Sequence, residues 1–154
     1  MDNTLGNRRV IAVVPAYNEQ DNIVSTIEDL QNNAPGVDYV IVNDGSKDST
    51  LCICRKHGYN VIDLPVNLGL AGAFQTGMRY AYKHGYDYAV QFDADGQHSA
   101  AYIAEMVHVA EEKSANIVIG SRFATQKKPV SARMAGSVLI SAMMLLTTRR
   151  RIQD

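Results

Sequence analysis

Short apolar runs alternate with amphipathic segments along most of the chain. Continuous runs such as Val10–Val14 and Tyr39–Val42 are typical of strands buried on both faces. Between them, apolar residues recur at helical spacing, as Ile23, Ile27 and Leu30 do. This alternation predicts an α/β fold with a mostly parallel sheet and helices on both of its faces.

The pattern also predicts the individual elements. The strands are Val10–Val14 ending at Pro15, Tyr39–Val42, Val61–Ile62, Tyr88–Phe92 and Ile117–Ile119. We expect the first helix to be capped by Asn18 and to end before Pro35. Two later helices are predicted from apolar faces made of Leu70, Ala73, Phe74, Gly77 and Ala81 in one and of Ile103, Met106, Val107 and Ala110 in the other.

Size and charge narrow the class of protein. A length of 154 residues, 46% of them hydrophobic, predicts one domain with its own core. Fifteen basic and sixteen acidic residues give a net charge of -1, which provides no positive electrostatic field to attract phosphate groups, so we expect no nucleic-acid partner.

The N-terminal sequence and the cysteines indicate the compartment and exclude a metal site of the zinc type. The polar start, Met1–Arg9, lacks the apolar stretch of a secretion signal, which favours the cytoplasm. Cys52 and Cys54 leave a predicted helix on different faces, so we expect neither a disulfide nor a zinc site.

The residues that follow the strands carry the candidate chemistry, because ligands of open parallel sheets bind beyond the carboxyl ends of the strands. Asp93 and Asp95 follow the predicted fourth strand, where a turn can bring both carboxylates to one point. Hard oxygen ligands of this kind suit Mg²⁺ or Mn²⁺, and Gln97 would add a carbonyl oxygen. The alternative is an ordinary solvated loop.

The ends of the first two strands are also polar. Asp44 could accept hydrogen bonds from a base or a ribose, or it could form a turn or helix cap together with Ser46. Tyr17 could stack on a base and Glu19 could hydrogen-bond a ring, although both could equally be exposed residues at a helix start.

Taken in order, five segments resemble the family 2 glycosyltransferases, within them the branch of dolichyl-phosphate mannosyltransferase and bacterial polyprenyl-phosphate sugar transferases. The resemblance runs from about Val10 to Asp154. The segments are Val14-Pro15-Ala16-Tyr17-Asn18-Glu19, Val42-Asn43-Asp44-Gly45-Ser46-Lys47-Asp48-Ser49-Thr50, Asn67-Leu68-Gly69-Leu70-Ala71-Gly72-Ala73, Asp93-Ala94-Asp95-Gly96-Gln97-His98 and Gly120-Ser121-Arg122-Phe123.

The resemblance implies a Rossmann-like GT-A fold and a role for each matching position. The nucleoside pocket would be lined by Pro15, Tyr17, Glu19, Val42 and Asp44. Asp93 and Ala94 would lie beside the ribose and diphosphate, and Arg122 and Arg133 would contact the diphosphate. The metal, Mg²⁺ or Mn²⁺, would be held by Asp93, Asp95 and Gln97.

The chain departs from the family pattern at three places. Asn43 stands where the family often has an aspartate, which leaves recognition to Asp44, and Gly96 replaces the more common leucine. Family members continue with an Asp-x-Thr-Ser-Gly-Phe-Arg-like segment, of which Asp154 would be the first residue. We therefore expect residues 1–154 to be a single truncated catalytic domain, with the donor-binding part at about 8–125 and much of the acceptor side missing.

The function implied is transfer of a sugar from a nucleoside diphosphate sugar to a polyprenyl phosphate or glycan, with inversion, as in the synthesis of cell walls or polysaccharides. A polyprenyl phosphate needs no strong base, whereas a hydroxyl acceptor would need Asp154 or a residue beyond it. The apolar run Val138–Leu146 is too short to span a bilayer. Segment 138–151, which ends in arginines, could contact the inner face of the cell membrane, form a core helix or favour homo-oligomers.

Three other functions are weighed against this one. A fragment without its acceptor half could bind a nucleotide sugar or a partner protein without turnover. The Asp93-Ala94-Asp95-Gly96 segment also resembles the opening motif of haloacid-dehalogenase-type phosphatases, but that motif belongs after the first strand of its domain. A dinucleotide-binding dehydrogenase is disfavoured because the loop after the first strand has no glycine.

Overall fold

The computed structural model describes Leu5, residues 7–95 and residues 99–120. Every helix and strand it describes lies in a compact unit that ends at Val118. In chain order these are β1 (Val10–Ala16), α1 (Ile23–Asn33), β2 (Val37–Asn43), α2 (Thr50–Lys56), β3 (Val61–Asp63), α3 (Gly69–Lys83), β4 (Tyr88–Gln91), a single 3₁₀ turn (Ala100–Tyr102) and α4 (Ile103–Glu112).

The four strands form one sheet in the order β3-β2-β1-β4, and all three pairings are parallel. Val10 of β1 is in register with Val37 of β2 on one side and with Tyr88 of β4 on the other. Because β1 has a strand on each side and helices on each face, all seven of its residues are buried. This confirms the α/β prediction and explains why the run is continuously apolar.

The side chains of β1 alternate between two cores, one on each face of the sheet. Val10, Ala12 and Val14 pack into the first core, which also receives residues of α1, α2 and α4 such as Ile27, Cys54 and Val107. Ile11 and Val13 pack into the second core, which lies under α3 with Ala73 and Ala81. Of the two cysteines, Cys54 is buried and Cys52 is exposed.

Two predicted boundaries in the first loop are wrong. β1 does not stop at Pro15 but continues to Ala16. The backbone groups of Val13 face β4, and those of Pro15, two residues on, face the same side beyond the last β1–β4 pair, where no N–H is needed. Asn18 does not cap α1, because α1 begins only at Ile23, and Asn18 adopts a left-handed conformation with φ 58°.

Two other expectations fail, one about the existence of a strand and one about the burial of a helix residue. Residues Ile117–Ile119 form no strand, and Ile117 is exposed. A strand requires a backbone partner, and within the described residues the sheet ends at β4. Leu70, expected on the buried face of α3, is also exposed, because it lies in the first turn of the helix beside the cleft described next.

Candidate functional site

A cleft of about 320 Å³ opens at the carboxyl ends of β1, β2 and β4. This is the position at which open parallel sheets bind ligands. Its lining comes from four stretches of chain: Pro15, Ala16, Tyr17 and Glu19; Asp44; Asn67, Gly69, Leu70 and Ala73; and Asp93, Ala94 and Asp95. Three of the polar strand ends singled out in the sequence therefore meet in one place.

The loop after β4 continues the alternation of the strand. Phe92 and Ala94 are buried and belong to the first core, and Asp93, Ala94 and Asp95 all line the cleft. Two carboxylate residues two positions apart are thus both part of the cleft lining, while the buried side chain between them anchors the loop. The Phe92 N–H donates to the Val13 carbonyl over 2.9 Å, and Gln91 Nε2 donates to Asp93 Oδ1 over 2.9 Å.

The two carboxylates fit a divalent ion that keeps most of its coordination positions for substrate and water. Within the described part of the chain, no group of three or more His, Cys, Asp or Glu side chains could hold a metal ion. A zinc site closed by four such side chains is therefore not formed by these residues. Two hard oxygen ligands at the wall of an open cleft are the donor set expected for Mg²⁺ or Mn²⁺ bound together with a phosphate.

Asp44 is buried and has a role that the sequence did not predict. Its Oδ1 accepts a hydrogen bond from the Leu68 N–H over 2.7 Å. It does not cap α2, which begins at Thr50 after Ser49. Among the residues described, Oδ2 of Asp44 forms no hydrogen bond, and the side chain lines the cleft. One oxygen therefore fixes a loop while the other is available to a ligand.

The loops after β1 and β2 are joined by hydrogen bonds from the backbone of one to side chains of the other. The Asn18 N–H donates to Ser46 Oγ over 3.0 Å, and the Lys47 N–H donates to Asn18 Oδ1 over 2.8 Å. The Glu19 N–H donates to Thr50 Oγ1 over 2.8 Å. This network explains the left-handed Asn18 and fixes the wall that carries Tyr17 and Glu19.

Asp48 completes the same network. It accepts hydrogen bonds from the Gln20 N–H, the Thr50 N–H and the Thr50 hydroxyl, at 3.1, 2.9 and 2.6 Å. Partial burial raises the pKa of Asp48, but the hydrogen bonds from Thr50 and Gln20 favour the carboxylate and together outweigh it. The net result is a pKa below the ordinary value of 3.8.

Not all of the other residues predicted to bind the nucleotide sugar line the cleft. Pro15, Tyr17, Glu19 and Ala94 line the cleft, and Tyr17 has 42% of its surface exposed. Val42 does not line the cleft, because its side chain is fully buried in the second core. Its assignment to the nucleoside pocket stays a prediction.

Five cleft residues were not assigned to the site from the sequence: Ala16, and four residues of one later segment, Asn67, Gly69, Leu70 and Ala73. The segment that contains these four was part of the family resemblance, but no role had been given to it. This segment lies at the cleft because its backbone packs directly against Gly45. The approach is so close that a Cβ placed on Gly45 would lie 2.8 Å from the Asn67 backbone nitrogen. The sequence feature that could have indicated this packing is Gly45 of the Asp-Gly-Ser turn. A glycine permits the close approach and also adopts the φ of +67° found there.

Four predicted site residues, Gln97, Arg122, Arg133 and Asp154, lie outside the described residues, as does segment 138–151. The helices that the structure does describe include none with the length and apolar character needed to cross a bilayer. The phosphatase alternative is weakened by the topology, because Asp93 follows the fourth strand in chain order instead of the first.

The chain was compared with protein families and with known proteins. The family model for glycosyl transferase family 2 matches residues 11–153. A UDP-N-acetylglucosamine–dolichyl-phosphate N-acetylglucosaminyltransferase of Methanococcus voltae is 34% identical over 80% of this chain and 56% of its own length. An undecaprenyl-phosphate mannosyltransferase of Micrococcus luteus is 31% identical over 74% of this chain and 48% of its own. The chain spans about half the length of these relatives.

Solved structures share the fold. A mannosyltransferase from Pyrobaculum calidifontis, in complex with GDP-Man and Mn²⁺, matches with a TM-score of 0.59 and 24% identity over 68% of this chain and 33% of that one. A glucosyl-3-phosphoglycerate synthase from Mycobacterium tuberculosis, in complex with Mn²⁺, UDP and glucosyl-3-phosphoglycerate, matches with a TM-score of 0.55 and 24% identity over 68% and 40%.

Proposed function

The chain belongs to glycosyl transferase family 2, and from that premise we propose that it binds a nucleoside diphosphate sugar with Mg²⁺ or Mn²⁺ and transfers the sugar, with inversion, to a polyprenyl phosphate or glycan. The observation that carries the proposal is the meeting of Asp44, Asp93 and Asp95 in one open cleft at the strand ends. Ordinary solvated carboxylates would not be expected to converge there from separate parts of the chain.

The metal would be held by Asp93 and Asp95, with Gln97 as the third ligand predicted from the sequence. When bound, the ion would neutralise charge on the diphosphate as it leaves. The protein's own contribution is to hold the two carboxylates toward the cleft, which the burial of Phe92 and Ala94 supports. Arg122 and Arg133 would add positive charge to the diphosphate site.

The nucleoside would lie against the wall formed by the loops after β1 and β2. Tyr17 offers a ring face for stacking, Glu19 an acceptor for a base, and Asp44 Oδ2 an acceptor for a base edge or ribose. Because the two loops are hydrogen-bonded to each other, this wall is formed before the ligand arrives.

In the transfer itself, the acceptor oxygen forms a bond to the anomeric carbon while the bond from that carbon to the diphosphate oxygen breaks. The nucleoside diphosphate takes the electron pair of that bond and leaves from the opposite face, which inverts the configuration. An anionic phosphate acceptor has no proton to lose. A hydroxyl acceptor would pass its proton to Asp154 or to a residue beyond it.

The acceptor class is supported by the relatives, whose names specify dolichyl phosphate and undecaprenyl phosphate. The donor and metal classes are supported by the solved structures, whose complexes hold GDP-Man or UDP with Mn²⁺. For such acceptors we propose that the chain acts in the cytoplasm at the inner face of the cell membrane, with segment 138–151 as the contact. Self-association through that segment is part of the same proposal.

Calorimetry of UDP, GDP and dTDP, each with Mn²⁺ and with EDTA, tests the donor site directly. We expect one of these nucleotides to bind in a Mn²⁺-dependent manner and Asp95→Ala to abolish the Mn²⁺ effect. Asp21→Ala, at an exposed residue outside the cleft, is the matched control. Undiminished Mn²⁺-dependent binding by Asp95→Ala would overturn the proposal.

A second candidate is donor binding without turnover, which is favoured by the match to only about half of the relatives' length. Donor hydrolysis and transfer to a polyprenyl phosphate, assayed on this chain and on a longer version of it, separate the two. Activity that appears only in the longer version would support binding alone for residues 1–154.

A further inference from the structure

We propose that Thr26 and Asp29 of α1 are positioning residues for the loop that carries Asp93 and Asp95, holding the chain between the two aspartates and again beyond them. The inference rests on the proposed function, since it assigns a role in metal binding to residues that do not line the cleft. Nothing in the sequence motifs pointed to either residue.

Thr26 contacts the loop between its two aspartates. Its side chain is only 3% exposed, and its hydroxyl lies 3.1 Å from the carbonyl oxygen of Ala94. The same hydroxyl lies 3.0 Å from the Asn22 carbonyl one turn earlier in the helix. A hydroxyl has one proton to donate, so Thr26 shares it between its own helix and the loop.

Asp29 contacts the chain beyond the aspartates. It lies three residues after Thr26 and so on the same side of α1. Its Oδ2 accepts a hydrogen bond from the Ala100 N–H over 2.8 Å, and its Oδ1 accepts one from Asn33 Nδ2 over 2.6 Å. One helix therefore fixes the loop at Ala94 and again at Ala100.

These contacts matter because the sheet no longer holds the chain there. β4 ends at Gln91, and the Phe92 N–H donates to the Val13 carbonyl of β1 one residue beyond that end. Beyond it, burial of the small Ala94 side chain holds the loop down but gives little directional control. Hydrogen bonds to the residues that support the metal ligands fix the orientation of those ligands. Removal of such hydrogen-bond partners commonly lowers metal affinity about 10- to 100-fold.

The test compares nucleotide affinity with and without metal. The readout is the ratio of Kd in EDTA to Kd in Mn²⁺, measured for the nucleoside diphosphate that the wild type binds. Thr26→Val keeps the shape and removes the hydroxyl, and we expect it to lower this ratio about tenfold. Thr26→Ser restores the hydroxyl and should restore the ratio. Asp29→Ala should lower the ratio as Thr26→Val does, whereas Asn33→Ala removes only the second partner of Asp29 and should not.

The outcomes separate the two proposals. A wild-type chain whose affinity does not change with Mn²⁺ overturns the proposed function, and this inference with it. A normal wild-type ratio that stays unchanged in Thr26→Val and in Asp29→Ala overturns the positioning role alone. If Thr26→Val fails to fold by circular dichroism, the comparison of Asp29→Ala with Asn33→Ala decides the question. A purely structural role would lower the unfolding temperature without changing the ratio.

Discussion

The Asp44 carboxylate accepts a hydrogen bond from the Leu68 N–H over 2.7 Å, which joins the loop after β2 to the loop that precedes α3. The neighbouring Gly45 makes the same connection by close approach to the Asn67 backbone. The residue proposed to recognise the nucleoside is therefore also the residue that holds the loop before α3, which lines the cleft through Asn67. Loss of its charge and loss of its hydrogen bond should have different effects.

Asp44→Ala and Asp44→Asn separate these two roles. Alanine leaves the Leu68 N–H without its acceptor, and we expect a loss of about 2 kcal/mol in the free energy of unfolding. Asparagine keeps a neutral acceptor at the same position, so we expect a loss of about 1 kcal/mol or less. Both variants should bind the nucleoside diphosphate at least about tenfold more weakly, because Oδ2 is changed in each. Urea unfolding and calorimetry measure the two effects.

Asp63→Asn is the control for that pair, because it removes an aspartate at the end of the neighbouring strand β3 that does not line the cleft. Its nucleotide affinity should match the wild type. Asp44→Asn with unchanged affinity would show that Asp44 serves only to hold Leu68.

The lowered pKa of Asp48 predicts a dependence of stability on pH. A carboxyl group whose pKa is lower when folded stabilises the protein above its unfolded pKa of about 4, and this stabilisation is lost as the pH falls toward the folded value. In that interval the unfolded chain binds more protons than the folded one. We expect the urea midpoint to fall between pH 5 and pH 3, and to fall less steeply in Asp48→Asn.

Asp21→Asn, an exposed change two residues before the N-terminus of α1, controls for the loss of one negative charge. An acid profile of Asp48→Asn that is as steep as the wild-type profile would mean that the hydrogen bonds to Thr50 and Gln20 do not stabilise the folded carboxylate.

The existence of the strands and helices could be predicted because burial leaves a strong pattern in the sequence. β1 is apolar throughout since both faces are covered, and Ile23, Ile27 and Leu30 mark the buried side of α1. The boundaries were less predictable. The extension of β1 past Pro15 depends on where β4 stops, and the late start of α1 depends on hydrogen bonds between Asn18 and a distant loop.

The site was predictable at the level of strand ends and unpredictable at the level of contacts. The topology explains why Asp44, Asp93 and Tyr17 line one cleft. The bond from Leu68 to Asp44 and the bond from Thr26 to Ala94 join residues 24 and 68 positions apart. Neither pair shows a local pattern, because the close approach is created by packing of the whole domain.

Gly77 should be intolerant of even a methyl group. It lies in α3 where the helix crosses β1, and a Cβ placed on it would be 2.1 Å from Val13 Cγ1. Alanine ordinarily favours a helix by about 1 kcal/mol over glycine. Here we expect Gly77→Ala to lower the free energy of unfolding by about 2 kcal/mol, because α3 must move away from the sheet.

A double-mutant cycle with Val13→Ala tests whether contact with Val13 causes the destabilisation by Gly77→Ala. Removal of the two Val13 methyl groups makes room, so Gly77→Ala should cost at least about 1 kcal/mol less in that background. Gln75→Ala, at an exposed site on the same helix, should stay within about 0.5 kcal/mol of the wild type. A cost for Gly77→Ala that is the same in both backgrounds would locate the strain elsewhere.

Asn43→Asp introduces the aspartate that the family often has at this position. Asn43 is buried, its Nδ2 donates to Asp63 Oδ1 over 2.7 Å, and its own buried Oδ1 has no hydrogen-bond partner among the described residues. A carboxylate in its place would face the Asp63 carboxylate with no proton between them. We expect a loss of about 3 kcal/mol in the free energy of unfolding at pH 7.5, measured in urea.

The loss in the free energy of unfolding of Asn43→Asp should be smaller at pH 5 than at pH 7.5. The direction of this pH dependence follows from the number of protons bound by the folded and unfolded states. A protonated carboxyl has the same donor and acceptor arrangement as the amide, so the folded variant would hold its proton to a higher pH than the unfolded chain does. The folded state then binds more protons, and stability falls as the pH rises. Gln75→Glu, the same exchange of amide for acid at an exposed site, should show no such fall. Because Asn43 does not line the cleft, nucleotide affinity should not increase. A variant as stable as the wild type at pH 7.5 would mean that Asp63 can turn away, and that asparagine is not required by its neighbour.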